Sequence, residues 1–188
     1  MRIVSYDIHQ PDPESVLRQH AAPVASDDPE LGLLLERMGA TLEQAGGVGL
    51  AAPQVGISRR VILVKHGTRP TGEPTRVVAY LNPAIEWSSP ETDDDYEACL
   101  SIDGVGGLVR RARRLRVSYD PVGGGPRAAV DYADWDARIL QHEIDHLDGV
   151  LYVDKLAGPL LPSDEMRRLR DEGHRLRGWI PPSAEAAR

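Results

Sequence analysis

The constraint that most shapes this chain is Gln141-His142-Glu143-Ile144-Asp145-His146. Two imidazoles stand four residues apart, with a carboxylate next to the first. On a helix, residues i and i+4 share one face, one turn apart. Rings so placed can grip a single metal ion, and Glu143 then points toward whatever that ion activates. Only a rigid element holds two ligand nitrogens at a fixed separation, so the chemistry needs a helix. The flanking sequence supplies one. Trp135, Ile139, His142 and His146 make one stripe, and Leu140, Ile144 and Leu147 make an adjoining one. A helix apolar over that much of its circumference is buried. Asp131 is the expected N-cap, Asp134 falls in the first turn, where a carboxylate suits the dipole, and Gly149 is the expected residue just past the end.

A pair of satisfied core histidines would show the same spacing, so a metal centre needs more. It needs a third ligand, a group to orient the substrate and a donor for a developing oxyanion. Two candidates for the third ligand stand close together in Tyr96-Glu97-Ala98-Cys99-Leu100-Ser101: the thiol of Cys99 and the carboxylate of Glu97. Upstream, Gly46-Gly47-Val48-Gly49-Leu50-Ala51-Ala52-Pro53-Gln54 brings small residues and one amide. Glycines allow close approach of backbone, and the Gln54 carboxamide can donate an N–H to a carbonyl oxygen. No Lys-Ser/Thr follows, so this is no phosphate loop.

The rest of the chain reads as scaffold. Residues 1–12 form an extended arm, since Pro11 and Pro13 forbid a long helix. Leu31, Leu34, Leu35, Met38 and Leu42 mark a packing helix. Arg60–Val64 is a buried strand; Val77–Leu81 is a second, ending at Asn82-Pro83; Ile85–Trp87 is a third. Pro90–Asp95 reads as a solvated acidic loop, Leu108–Val117 as a strand and Val122–Pro126 as a hairpin loop. Val150–Val153 reads as a short strand, and Asp164–Trp179 as a charged surface helix with Met166, Leu169 and Leu176 on its apolar edge. One domain spans residues 1–180, followed by a disordered tail, 181–188.

The net charge of −7 over 188 residues argues against a nucleic-acid binder. The run Arg110–Arg116 is expected to be a strand with solvated charges. The lone cysteine excludes an internal disulfide, and no long apolar run suggests a membrane span or leader; a cytoplasmic location is expected.

Three stretches together carry a family resemblance. Gly47-Val48-Gly49-Leu50-Ala51-Ala52-Pro53-Gln54, Glu97-Ala98-Cys99-Leu100-Ser101 and Gln141-His142-Glu143-Ile144-Asp145-His146-Leu147-Asp148-Gly149 resemble, in order and spacing, the motifs of the peptide deformylases. The resemblance implies an α+β fold, with small antiparallel or mixed β-sheets around a central metal-bearing helix and a C-terminal surface helix. It implies removal of the formyl group from an N-formyl-methionyl peptide or nascent chain, releasing formate, and a possible association with the ribosome. Cys99, His142 and His146 would hold one divalent ion, Fe2+ in the cell and Zn2+, Ni2+ or Co2+ as replacements. Glu143 would be the general acid/base, while Gln54 and the Leu100 N–H would hold the formyl oxygen. Gly49, Val48 and Glu97 would contact the substrate, and Asp145 is a candidate to orient a ligand histidine.

The chain departs from that pattern at three places. Ala98 replaces a glycine, Asp103 a proline and Gly106 a substrate-binding arginine. Residues 103–107 are therefore expected to be floppy and uncharged. Two further readings follow: a deformylase-like enzyme for a specialised formylated substrate, and a weakly active or non-catalytic metal-binding homologue. A His-Glu-x-x-His endopeptidase is a third; it would take a His or Glu ligand downstream of the helix, where His174 lies in a charged helix with nothing catalytic about it.

Overall fold

The computed structural model describes residues 1–68 and 75–172. The expected tail 181–188, His174 and Leu176 lie outside the described residues.

Helix α1 (Leu31–Ala45) buries Leu31, Leu34, Met38 and Leu42 and ends at Gly46, whose φ of 65° suits a left-handed cap. Strand β1 (Gly49–Ala51) and a 3-10 turn (Ala52–Val55) follow, so the glycine-rich stretch and Gln54 lie on a sheet edge and its adjoining turn. Next come β2 (Val61–His66), β3 (Arg76–Ser88), β4 (Thr92–Cys99), β5 (Ile102–Ala112), β6 (Arg114–Asp120) and β7 (Ala128–Ala133). Helix α2 (Asp134–Leu147) carries the two histidines; β8 (Leu156–Pro162) and α3 (Ser163–Asp171) close the described chain. The strands form two antiparallel sheets, one ordered β1-β2-β3-β6-β7 and the other β4-β5-β8. Helix α2 touches strands of both sheets, so the metal helix is central, in an α+β fold. Its Ile139, Leu140, Ile144 and Leu147 pack with Ile62, Val64, Tyr80 and Val117 of the larger sheet.

Several sequence expectations are corrected here. Asp131 does not cap α2: it lies in β7, opposite Arg116, and Ala133 occupies the cap position. The strands expected at 77–81 and 85–87 are one strand, β3, with an irregularity between Leu81 and Ala84. Asn82 (φ 49°) sits in that bulge, next to a proline that has no N–H for the ladder. Its amide bonds Val24 and Asp120 instead, so the chain passes through without ending.

The acidic stretch 92–95 is not a loop but the start of β4, and Asp95 is buried. The strand expected at 108–117 is two strands, divided at Arg113. Residues Tyr152–Lys155 form a 3-10 turn, and the strand lies one step later, at β8. Residues 103–107 are not floppy: they are ladder members of β5, paired to β4 and β8. The arginine run lies largely in strands with most of its charges at the surface, as expected, but those charges are paired and one of them is inside. Arg110 pairs with Asp94, Arg113 with Asp134 and Arg116 with Asp131, while Arg111 is buried. The C-terminal helix is charged outside, but its Met166 and Leu169 are buried against Tyr96 and Leu108.

The N-terminal arm has a use. The Val4 N–H donates to the Gln54 carbonyl at 2.8 Å, and the Tyr6 N–H to the Ser101 carbonyl at 2.7 Å. Two segments 47 residues apart in the chain are thereby tied to one strap.

Candidate metal centre

Cys99 ends β4 at the tip of a two-residue turn, with Ile102 as its ladder partner across the hairpin. That tight turn aims the sulfur at α2. Cys99 Sγ stands 3.2 Å from His146 Nε2, and one donor atom from each of Cys99, His142 and His146 lies within 4.8 Å of the other two. Cys99 and His146 are buried and His142 is nearly so. Burial alone would raise the Cys99 thiol, but the facing His146 and His142 imidazoles outweigh it and hold the group well below its ordinary value. Thiolate is the ligating form of cysteine.

Glu143 faces the same space. Burial pushes its carboxyl up to about 7, and the two imidazoles offset this only in part. Its Oε2 is buried without a hydrogen-bond partner among the described residues. An acceptor left bare in a native interior points to a missing hydrogen-bonding species. Gly49 accounts for the room Glu143 has: a Cβ there would lie 2.2 Å from Glu143 Oε1. Gln54 Oε1 accepts from the Ala51 N–H at 2.8 Å, so its Nε2 is the end directed at the centre, 3.4 Å from both Cys99 Sγ and Ser101 Oγ. Leu100 and Val48 line the adjoining cleft, about 350 Å³ in volume.

Glu97 borders that cleft, but its carboxylate is committed inward. It accepts from Arg111 through both oxygens at 2.9 Å, from Arg138 at 2.8 Å and from His142 Nδ1 at 2.9 Å. Burial opposes its charge, yet Arg111 and His142 hold it well below the usual carboxylate range. The bond at Nδ1 leaves Nε2 as the nitrogen that His142 could offer to an ion. Asp145 does not do this orienting: it pairs with Arg111 and Lys155. Arg111 and Arg138 were not singled out from the sequence. Arg138 carried a signal, since an arginine four residues before His142 interrupts an apolar stripe. Arg111 carried none, being one of five arginines in a run.

A thiol held toward thiolate, two convergent imidazoles and a bare buried carboxylate oxygen fit a divalent cation with a solvent position beside it. An amide donor turned onto that position completes a site for hydrolysing a carbonyl compound: this is the arrangement of a metal-dependent hydrolase. The family model for polypeptide deformylase matches residues 6–160. A peptide deformylase of Desulfitobacterium hafniense is 43% identical over 140 residues, covering 74% of this chain and 87% of that protein. The crystal structure of peptide deformylase from Thermotoga maritima superposes with a TM-score of 0.73 at 36% identity, covering 84% of this chain and 97% of that one. A Met-Ala-Ser-bound class I type b peptide deformylase from Acinetobacter baumannii gives 0.73 at 34% identity, covering 83% and 98%. The chain belongs to the polypeptide deformylase family, and its reaction is hydrolysis of the N-formyl amide bond. The specialised-substrate and non-catalytic readings are not favoured by these relatives.

Proposed function

We propose that Cys99, His142 and His146 hold one divalent ion and that Glu143, Gln54 and the Leu100 N–H act on the formamide of an N-formyl-methionyl peptide. The observation that carries this is the convergence of three ligand atoms within 4.8 Å beneath Glu143 and the Gln54 amide. A divalent cation there supplies Lewis acidity, lowering the pKa of a water and polarising the carbonyl. The residues of this chain do the rest. Glu143, with its carboxyl near neutrality, takes the proton of the attacking water and delivers it to the departing amine. Gln54 Nε2 and the Leu100 N–H stabilise the oxygen of the tetrahedral centre. Glu97 acts as a positioning residue for His142 and not as a substrate contact.

The cleft lies between two sheet edges, β1 and β4, each last in its sheet. An extended peptide can add to such edges through its main chain. Val48 and Gly49 on β1's side are then its backbone contacts. Following the family resemblance, we assign Fe2+ as the cellular ion; the thiolate and imidazole donors accept zinc, nickel or cobalt as well. Nascent chains, with the ribosome as a docking partner, a cytoplasmic location and one catalytic domain over residues 1–180 complete the reading; no nucleic-acid or membrane contact is assigned. Among the described residues no helix is long and apolar enough to cross a membrane.

The test is formate release from a formyl-Met peptide by anaerobically prepared, iron-loaded protein. Formate from the wild type, released at least about 10²-fold more slowly by Glu143→Ala at equal metal content, is the expected result. Equal formate from both would sink the assignment of Glu143, and none from either would sink the reading itself.

A further inference from the structure

Among the described residues lining the cleft, Met166 alone comes from α3, and it belongs to none of the three motifs. Its position depends on Gly106. A Cβ at residue 106 would lie 2.3 Å from Met166 Sδ and 2.7 Å from the Glu97 carbonyl, so this placement requires glycine. Tyr96 and Leu108 are ladder partners and share the sheet face that Met166 and Leu169 cover. The Glu97 carboxylate leaves the opposite face, toward Arg138 of α2. Met166 therefore closes over the lip of the β4 edge near Tyr96 and Glu97.

Those residues precede Cys99 by two or three positions. At a strand rise of about 3.3 Å per residue, that lip is about 7–10 Å along the edge from the sulfur. A peptide extended along β4, with its formyl group at Cys99, brings its second residue to that distance. Trp135 and Ile139, on the same α2 stripe as His142, line the α2 wall of the cleft, and Ile139, one turn before His142, serves the first residue. A buried, flexible thioether adapts to an apolar partner and offers nothing to a charge taken out of water.

Resting on the deformylase reading, we infer that Met166 is a specificity-determining residue that selects formyl-peptides with an apolar side chain at the second position. The measurement is kcat/KM for formate release from formyl-Met-Leu-Ser, formyl-Met-Ala-Ser and formyl-Met-Asp-Ser. The wild type should prefer leucine over alanine on the order of tenfold, with aspartate the poorest. In Met166→Ala the leucine preference should fall to about twofold or less. Met166→Gln, of matched length, should lose the preference too, and Met166→Leu should retain it. Leu169→Ala loosens the same cluster without lining the cleft, so it should keep the preference. Equal wild-type values for leucine and alanine would overturn the inference, as would equal loss of preference in Leu169→Ala and Met166→Ala. No formate from any peptide would instead overturn the deformylase reading on which it rests.

Discussion

Behind the candidate ligands the cleft is backed by ionic groups: Glu97 bonds Arg111, Arg138 and His142, all three removed from water or nearly so. On its α3 side, Met166, Leu169, Tyr96 and Leu108 meet through packing. Directional bonds fix a ring angle; dispersion contacts only fill space. The side proposed to hold an ion uses the first. The side proposed to receive the peptide's second residue uses the second. A buried network of this kind is no ready source of net stability, since desolvation offsets much of its attraction. Its use here is geometric. The comparison also separates the two candidate ligand histidines: His142 Nδ1 is held by Glu97, whereas His146 Nδ1 has no partner among the described residues.

Removing the reacting groups should give the largest effects. Glu143→Ala should lower kcat by roughly 10²–10⁴ with its metal content unchanged, the range general acid–base groups contribute; single-turnover formate assays would measure it. Gln54→Ala removes a donor to the developing oxyanion and should cost on the order of 10²–10³ in kcat, with a smaller change in KM. Glu97→Ala tests the ionic wall itself. It should weaken metal binding by roughly 10–100-fold in a competitive chelator titration. It also leaves Arg138 buried without its carboxylate and Arg111 with Asp145 alone, which should cost about 3–5 kcal/mol in urea unfolding. An ordinary metal affinity in Glu97→Ala would erase the distinction between the walls. The smallest effect belongs to the surface. Arg116→Ala breaks an exposed pair with Asp131 and should leave both melting temperature and formate release unchanged.

What the sequence made legible follows the range of each interaction. The helix bearing His142 and His146 could be read because its spacing and apolar stripes are local. Gly149 closing α2 at φ 73° was likewise legible, since glycine is the residue that turn favours. Glu97's partners were not, because Arg111 and Arg138 reach it only after β4, β5 and α2 have come together. Reading residues 92–95 as solvated followed from their charge; cross-strand arginines make that charge acceptable in a strand. Asn82-Pro83 looked like a strand end because the partner of the Asn82 amide, Val24, is 58 residues away. Gly106 looked like slack, and only the thioether lying against it gives that glycine a reason.

The central claim is that one thiolate and two imidazoles share a single ion. Metal content and affinity of the purified protein, loaded anaerobically with Fe2+ and compared with Cys99→Ala, test it most directly. One equivalent per chain in the wild type, lost in Cys99→Ala while the helical circular-dichroism signal persists, is the predicted result. A full equivalent held by Cys99→Ala at unchanged affinity would contradict it.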